Sequence, residues 1–411
     1  MRISAIVWGV PPKSGCERNS TSTMAAEQMR QSTARPRVLF YVQHLLGIGH
    51  LARASRIARA LTQDGFDVTM VTGGMPVPGF PGPNINHVAL PAIASGDAGF
   101  SGLADAFGNP LTDEFKAERR DKLLVTFRDV QPDIVIIEAF PFGRRQVRFE
   151  LIPLLDEINA MTRRPMVLAS LRDILQERAK PGRDEESVAL VQRYFDHVLV
   201  HGDPQFARLE DSFPLHAEIA DKVIYTGLVA APPPSPPAET FDIVVSAGGG
   251  AVGALLIRAA LEAAKRLSPD LSWCIVTGPN LQQSDFDDIA AEAPNNVRIF
   301  RFLQGFPSLL LKARLSVSQA GYNTVCDILR AGCGSLLIPF MAGGETEQTA
   351  RARHLEKLGL ASILTEDELS ANSMTDAIGK ALAAPRLPAH NLDLDGAHRT
   401  AEILHGLLAA R

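Results

Sequence analysis

The run Ala231-Pro232-Pro233-Pro234-Ser235-Pro236-Pro237 divides this chain. Consecutive prolines fix φ and remove backbone donors, so such a run is neither helix interior nor central strand but a semi-rigid spacer. The same local order stands on each side of it. Before it, the apolar stretch Val38-Leu39-Phe40-Tyr41-Val42 leads into Leu46-Gly47-Ile48-Gly49-His50 and then a helical period carrying Leu51, Ala54, Ile57, Ala58 and Leu61. After it, Phe241 to Ala247 leads into Gly248-Gly249-Gly250-Ala251-Val252-Gly253 and a helical stretch over 254–267. A short apolar run without alternation suits a parallel strand covered on both faces. The order strand, glycine loop, helix, strand makes neighbouring strands parallel. The sequence therefore predicts an α/β chain of two Rossmann-like, doubly wound domains facing across a cleft, with ligands at the carboxyl ends of the strands.

Further strands are expected at 67–72, 85–90, 133–138, 166–170, 197–201 and 222–226, then at 272–277, 297–301, 314–318, 334–339 and 361–364. Helices are expected at 111–130, 143–160, 185–195, 321–331, 346–358, 371–384 and 397–410, and the Gly/Pro-rich segment 74–110 reads as a long edge loop. The resulting division is a disordered extension at 1–36 (with Met24 or Met29 as alternative starts), a first domain at 37–228 and a linker at 229–240. A second domain follows at 241–390, and a final helix at 391–411.

Composition narrows the function. A net charge of −5 excludes a bulk-basic nucleic-acid binder, so any anion site must be built locally. Cys16, Cys274, Cys326 and Cys333 show no metal or disulfide spacing and read as reduced thiols. No apolar run reaches the ~18 residues of a membrane span, and the chain is expected to be cytoplasmic. The basic groups Arg119-Arg120, Arg144-Arg145-Arg148 and Arg163-Arg164 would form a membrane-docking face if they share one surface.

Three motifs at strand ends could carry chemistry. Ser246 to Gly253 can bring backbone N–H groups close to a phosphate. It also matches a dinucleotide fingerprint, but the next strand ends in Thr277-Gly278-Pro279 rather than in the acid that would hold a ribose. The second, Ser318-Gln319-Ala320-Gly321-Tyr322-Asn323-Thr324-Val325-Cys326-Asp327, opens a helix, and Asp327 one turn in could accept from a vicinal diol. The third, Pro339 to Arg351, places Glu347 and Gln348 side by side at a helix start. Two Asp-x-Asp strings, Asp285-Phe286-Asp287 and Asp393-Leu394-Asp395, end no core strand and read as solvated caps rather than metal ligands.

These three motifs, in this order after a Pro-rich linker, resemble the C-terminal domain of GT-B glycosyltransferases, especially the relatives of MurG. The resemblance covers roughly 37–384 and is most specific over 316–358. It implies a nucleotide-sugar donor, UDP-linked, held by Gly248, Gly249, Gly250, Gly321, Tyr322, Asn323, Thr324, Asp327, Glu347 and Gln348. Asp327 stands where the family usually has Glu, and Glu347-Gln348 match its acid/amide pair for the donor sugar. On the first domain, Gly49 and His50 resemble the end of the family's glycine loop. His50 could take the acceptor's proton or only position the acceptor. Glu138 and Asp173 are rival general bases, and Arg172 and His201 are acceptor-side candidates. The implied reaction moves a hexose or N-acetylhexosamine to an acceptor hydroxyl with inversion, without metal or resident cofactor. The acceptor would be a glycan, a lipid-linked compound or a small molecule, as in cell-envelope polysaccharide synthesis. Nucleotide-sugar epimerases and hydrolases share this architecture and remain an alternative. A dinucleotide-dependent oxidoreductase and a non-catalytic nucleotide-binding scaffold are the others.

Overall fold

The computed structural model describes residues 35–45, 47–95, 102–177, 180–248, 253–278, 281–303, 305–384 and 389–411. The extension expected over 1–36 lies almost wholly outside them.

The first domain runs β1 (Arg37–Val42), α1 (Gly49–Gln63), β2 (Asp67–Thr72), β3 (Asn86–Ala89), β4 (Ile93–Ser95), β5 (Leu103–Asp105), α2 (Asp113–Val130), β6 (Ile134–Glu138), α3 (Arg148–Asn159), β7 (Met166–Arg172), α4 (Arg183–Tyr194), β8 (His197–His201) and β9 (Val223–Tyr225). Seven strands form one sheet in the order β3-β2-β1-β6-β7-β8-β9, every pair parallel. Val38, Phe40 and Val42 enter one core and Leu39 and Tyr41 another, so both faces of β1 are covered. That is why β1 is apolar without alternation.

The second domain runs β10 (Ile243–Ser246), α5 (Ala254–Arg266), β11 (Trp273–Val276), α6 (Gln283–Ala291), β12 (Val297–Phe300), α7 (Phe306–Leu310), β13 (Leu315–Ser318), α8 (Tyr322–Ala331), β14 (Gly334–Leu337), α9 (Glu347–Lys357), β15 (Ser362–Ile363) and α10 (Ala371–Ala383). Its six parallel strands are ordered β12-β11-β10-β13-β14-β15.

The last helix, α11 (Gly396–Ala409), returns to the first domain and packs on α1. Its His405 ring lies 4.4 Å from that of Phe66. The chain thus crosses between domains twice, and the crossings touch. Leu228 N–H donates to Asp393 O at 2.8 Å, and Gly396 N–H donates to Leu228 O at 3.0 Å.

The structure departs from expectation in a few elements. The segment 74–110 contains an antiparallel hairpin, β4 with β5. Two helices, α6 and α7, add to those expected. In α6 only Ile289 is buried, so its polar surface hides the period. The five-residue α7 is started by Gly305 at φ 77° and by Pro307 in its first turn, too short for a periodicity to show.

Candidate active site

The carboxyl ends of β1, β6, β7 and β8 deliver Gln43, Glu138, Arg172 with Asp173, and His201 to one edge of the first sheet. Helix α1 starts at the same edge. His50, in its first turn, turns Nδ1 to Glu138 Oε1 at 2.9 Å. A carboxylate only accepts, so in the neutral ring Nδ1 carries the proton and Nε2 keeps its lone pair. Burial, helped by Arg144, lowers the His50 pKa to about 3 against the pull of Glu138, so the ring is neutral near pH 7. Its side chain keeps 17% exposure. The ring is thus held in one tautomer with Nε2 unpartnered among the described residues, the orientation a proton acceptor needs.

Glu138 is fully buried and has three partners: His50, Arg53 one turn further along α1, and Ser170 Oγ at 2.5 Å. Burial would raise its pKa, but Arg53 and His50 outweigh that and hold it at about 2. This corrects the expectation of Glu138 as a rival base, because a carboxylate so held orients His50 rather than collecting a proton. Asp173 is corrected too, on its burial and pairing alone. It is fully buried and grips Arg351 of α9 through two hydrogen bonds.

His201 lies inside the fold rather than on an acceptor-facing surface. Its Nε2 is 2.9 Å from Ser170 Oγ and its Nδ1 2.8 Å from Thr226 Oγ1. Since Ser170 donates to Glu138, His201 must donate to Ser170. Its pKa, lowered to about 3 by burial, leaves it neutral. A polar chain thus runs from His50 through Glu138 and Ser170 to His201.

Helix α8 faces α1 from the second domain. Its N-cap, Gly321, offers no side chain, and no side-chain cap bond is made, so among the described residues the first-turn N–H groups of Tyr322, Asn323 and Thr324 are left for a ligand. Asn323 Nδ2 donates to Gly49 O at 3.2 Å, which brings the two helix starts together. Asp327 faces Arg56 at 3.6 Å, and its Oδ1 is buried with no hydrogen-bond partner among the described residues. Burial raises its pKa to about 6 against the pull of Arg56. An unsatisfied buried carboxylate oxygen is costly unless a hydroxyl reaches it. Gly248 adopts φ 71° at the end of β10, a conformation that suits glycine. Gly249 and Gly250 lie outside the described residues.

On the donor side, Tyr322 keeps the backbone role expected of it, while the Glu347 carboxylate and the Gln348 oxygen are already engaged. The Tyr322 side chain is buried: its hydroxyl donates to His201 O and accepts from Val229 N–H, both at 2.8 Å. Only its backbone remains at the helix start. Glu347 is buried and already engaged, accepting from Arg351 Nη2 at 2.5 Å and pairing with Arg172 across the domain interface. Gln348 spends its Oε1 on the N–H groups of Ala320 and Phe340, at 3.0 and 3.2 Å.

Sequence reasoning misses Arg53, Arg351, Ser170 and Arg144. Arg351 stands four residues after Glu347 and Arg53 three after His50, both helix-face spacings that could have flagged them. Nothing local marks Ser170 or Arg144. Not all of the basic groups are available for a membrane-docking face. Arg119 is buried on Glu150, Arg145 and Arg148 pair with Glu186, and Arg164 with Asp196, while Arg144 turns inward to Gln43 O. Asp285, in the first turn of α6, pairs with Arg258 of α5, and Asp393 lies at the domain crossing. Among the described residues no cluster of three or more His, Cys, Asp or Glu could hold a metal ion. No helix there is long and apolar enough to cross a membrane.

Residues 244–399 match the glycosyltransferase family 28 C-terminal domain. Over 194 residues the chain is 28% identical to the UDP-N-acetylglucosamine–N-acetylmuramyl-(pentapeptide) pyrophosphoryl-undecaprenol N-acetylglucosamine transferase of Leuconostoc mesenteroides, covering 45% of this chain and 48% of that one. The chain spans less than half the length of the curated relatives it matches. The fold is similar to that of CalG4, the calicheamicin glycosyltransferase (TM-score 0.63, 17% identity, 92% of this chain and 99% of that one). It is also similar to that of MurG from Acinetobacter baumannii (TM-score 0.59, 15% identity, 90% of this chain and 100% of that one).

Proposed function

We propose that this chain, a GT-B protein of the MurG-like, UDP-glycosyltransferase family, moves a sugar from a nucleotide diphosphate donor to an acceptor hydroxyl. The observation that carries this reading is the apposition of His50, oriented by Glu138, with the uncapped start of α8. A donor diphosphate on the α8 N–H groups would put its sugar between the domains. His50 Nε2 would accept the acceptor's proton as the new bond forms on the opposite face of the anomeric carbon, giving inversion. Helix N–H groups would stabilise the departing diphosphate without metal or resident cofactor.

The name of the Leuconostoc relative supports UDP-N-acetylglucosamine as donor and a lipid-linked pyrophosphate as acceptor. We carry both to this chain as the first substrates to try, and place the reaction in the cytoplasm, against the membrane where the acceptor is lipid-linked. The transferase names of the sequence relatives favour this reading over an epimerase or hydrolase. The test is a thermal-shift series with UDP, dTDP, GDP, ADP, NAD and NADP, with and without EDTA. At ~100 times its Kd a ligand stabilises by about 2.7 kcal/mol. A UDP shift unaffected by EDTA and lost in Asp327→Ala is expected. A shift confined to NAD or NADP would overturn the reading.

A further inference from the structure

Most charged side chains at the catalytic edge have an opposite charge. Arg53 pairs with Glu138, Arg351 with Asp173 and Glu347, and Arg172 with Glu347. Arg144 does not. Its Nε donates to Gln43 O at 2.8 Å, while neither Nη nitrogen has a protein partner among the described residues. No carboxylate is within ion-pair distance of it there.

Its backbone points the same way. Arg144 sits at φ 55°, ψ 32°, the left-handed region, with no side-chain cap to account for it. A non-glycine residue there costs about 1–2 kcal/mol, and such strain concentrates at binding sites. The Gln43 bond ties the guanidinium to the end of β1, whose neighbour β6 ends in Glu138, the partner of His50. Arg172 extends from β7, the next strand in the sheet, and burial, followed by the charge of Arg172, lowers the Arg144 pKa to about 10. Two guanidinium groups, one of them unpaired, therefore stand near each other at this edge of the sheet, and the charge of Arg144 is felt by the imidazole. An unpaired half-buried cation is costly without a counter-ion, and guanidinium nitrogens bind planar or tetrahedral oxyanions as a fork.

We propose that Arg144, assisted by Arg172, forms an oxyanion subsite beside His50 that docks a carboxylate or phosphate carried by the acceptor next to the hydroxyl to be glycosylated. This rests on the transferase reading. The donor diphosphate is assigned to the opposite wall, at the start of α8, so the anion met by the first domain belongs to the acceptor. The subsite sets register. With the anion held by Arg144, a neighbouring hydroxyl meets Nε2, and an uncharged acceptor is not fixed there.

The test uses the full chain saturated with UDP and titrates inorganic phosphate and, separately, acetate by calorimetry, with the His50 ring followed by NMR. Saturable binding of at least one anion is expected, with a shift of the His50 resonances. Arg144→Gln should weaken it at least tenfold and leave UDP affinity unchanged. Arg144→Lys, which keeps the charge but not the fork, should fall between the two and guards against loss of folding. Preference for phosphate or acetate names the acceptor's anion. Absence of saturable binding, equal binding by Arg144→Gln, or displacement of UDP by phosphate would overturn the subsite; the last would assign Arg144 to the donor diphosphate. If UDP does not bind at all, the transferase reading falls, while the same titration of the nucleotide-free chain still decides whether Arg144 holds an oxyanion.

Discussion

Asp173 and Arg351 join the two domains through hydrogen bonds of 2.9 Å from Nε and 2.7 Å from Nη2, with neither side chain exposed. Two charges taken out of water tolerate each other only while both are present. Removing one partner of such a pair typically costs about 3–5 kcal/mol. Asp173→Ala should therefore lower the unfolding free energy by about 3 kcal/mol, at the low end because Glu347 still holds Arg351. Urea denaturation measures this, and a loss below about 1 kcal/mol would mean that the pair acts as a solvated one.

His50→Ala should lower kcat by about 10²–10⁴, the usual range for a general base, with UDP affinity unchanged. Glu138→Gln should also lower kcat, since the amide cannot hold the same tautomer with carboxylate strength. Steady-state kinetics beside UDP titration separates the effects. Equal losses in kcat and UDP affinity would place His50 on the donor instead.

Donor binding should weaken in acid. The Asp327 carboxyl, with its pKa raised to about 6 by burial, is ionised above that pH and can accept two ribose hydroxyls. Below it the group is protonated and loses acceptor capacity. UDP affinity should fall as pH drops through about 6, and Asp327→Asn should flatten the profile. Calorimetry on both sides of that pH reads both curves, and a wild-type curve as flat as the variant's would remove Asp327 from the ribose.

Stability should follow pH with the sign set by the buried histidines. His50 and His201 have folded pKa values of about 3, well below the ordinary 6.5. The unfolded chain then binds more protons, so stability rises with pH between these limits. It is fully present above about 6.5 and is lost as pH falls toward 3, with a slope approaching about 1.4 kcal/mol per pH unit for each group. His201→Asn should reduce that slope in denaturation experiments across the same interval.

Tyr322→Phe removes one hydroxyl that serves both His201 O and Val229 N–H. A buried N–H left without a partner costs about 1–3 kcal/mol. The midpoint of thermal unfolding should fall accordingly, and an unchanged midpoint would show that another group reaches Val229 N–H.

The α/β architecture is legible in the sequence because β1 and β10 are apolar on both faces, a pattern with few other uses. The site is legible as places, since Glu138, Arg172 and His201 all end strands. Its pairings are not. Asp173 and Arg351 are separated by 178 positions, and only the relative placement of two domains brings them together. Arg144 reads as part of a surface cluster because its direction depends on a left-handed turn that its residue type does not announce. Glu347 reads as a donor ligand through the resemblance, which does not reveal which side chains the other domain claims.

The paired crossings between the domains have a mechanical consequence. Leu228 is bonded to both Asp393 and Gly396, so the outgoing and returning segments are tied side by side at one point of the interface. A single connection would leave one body free to swivel and tilt about the other. Two connections tied together at that point restrict such swivelling, so the placement of His50 opposite the start of α8 is held by the chain in both directions.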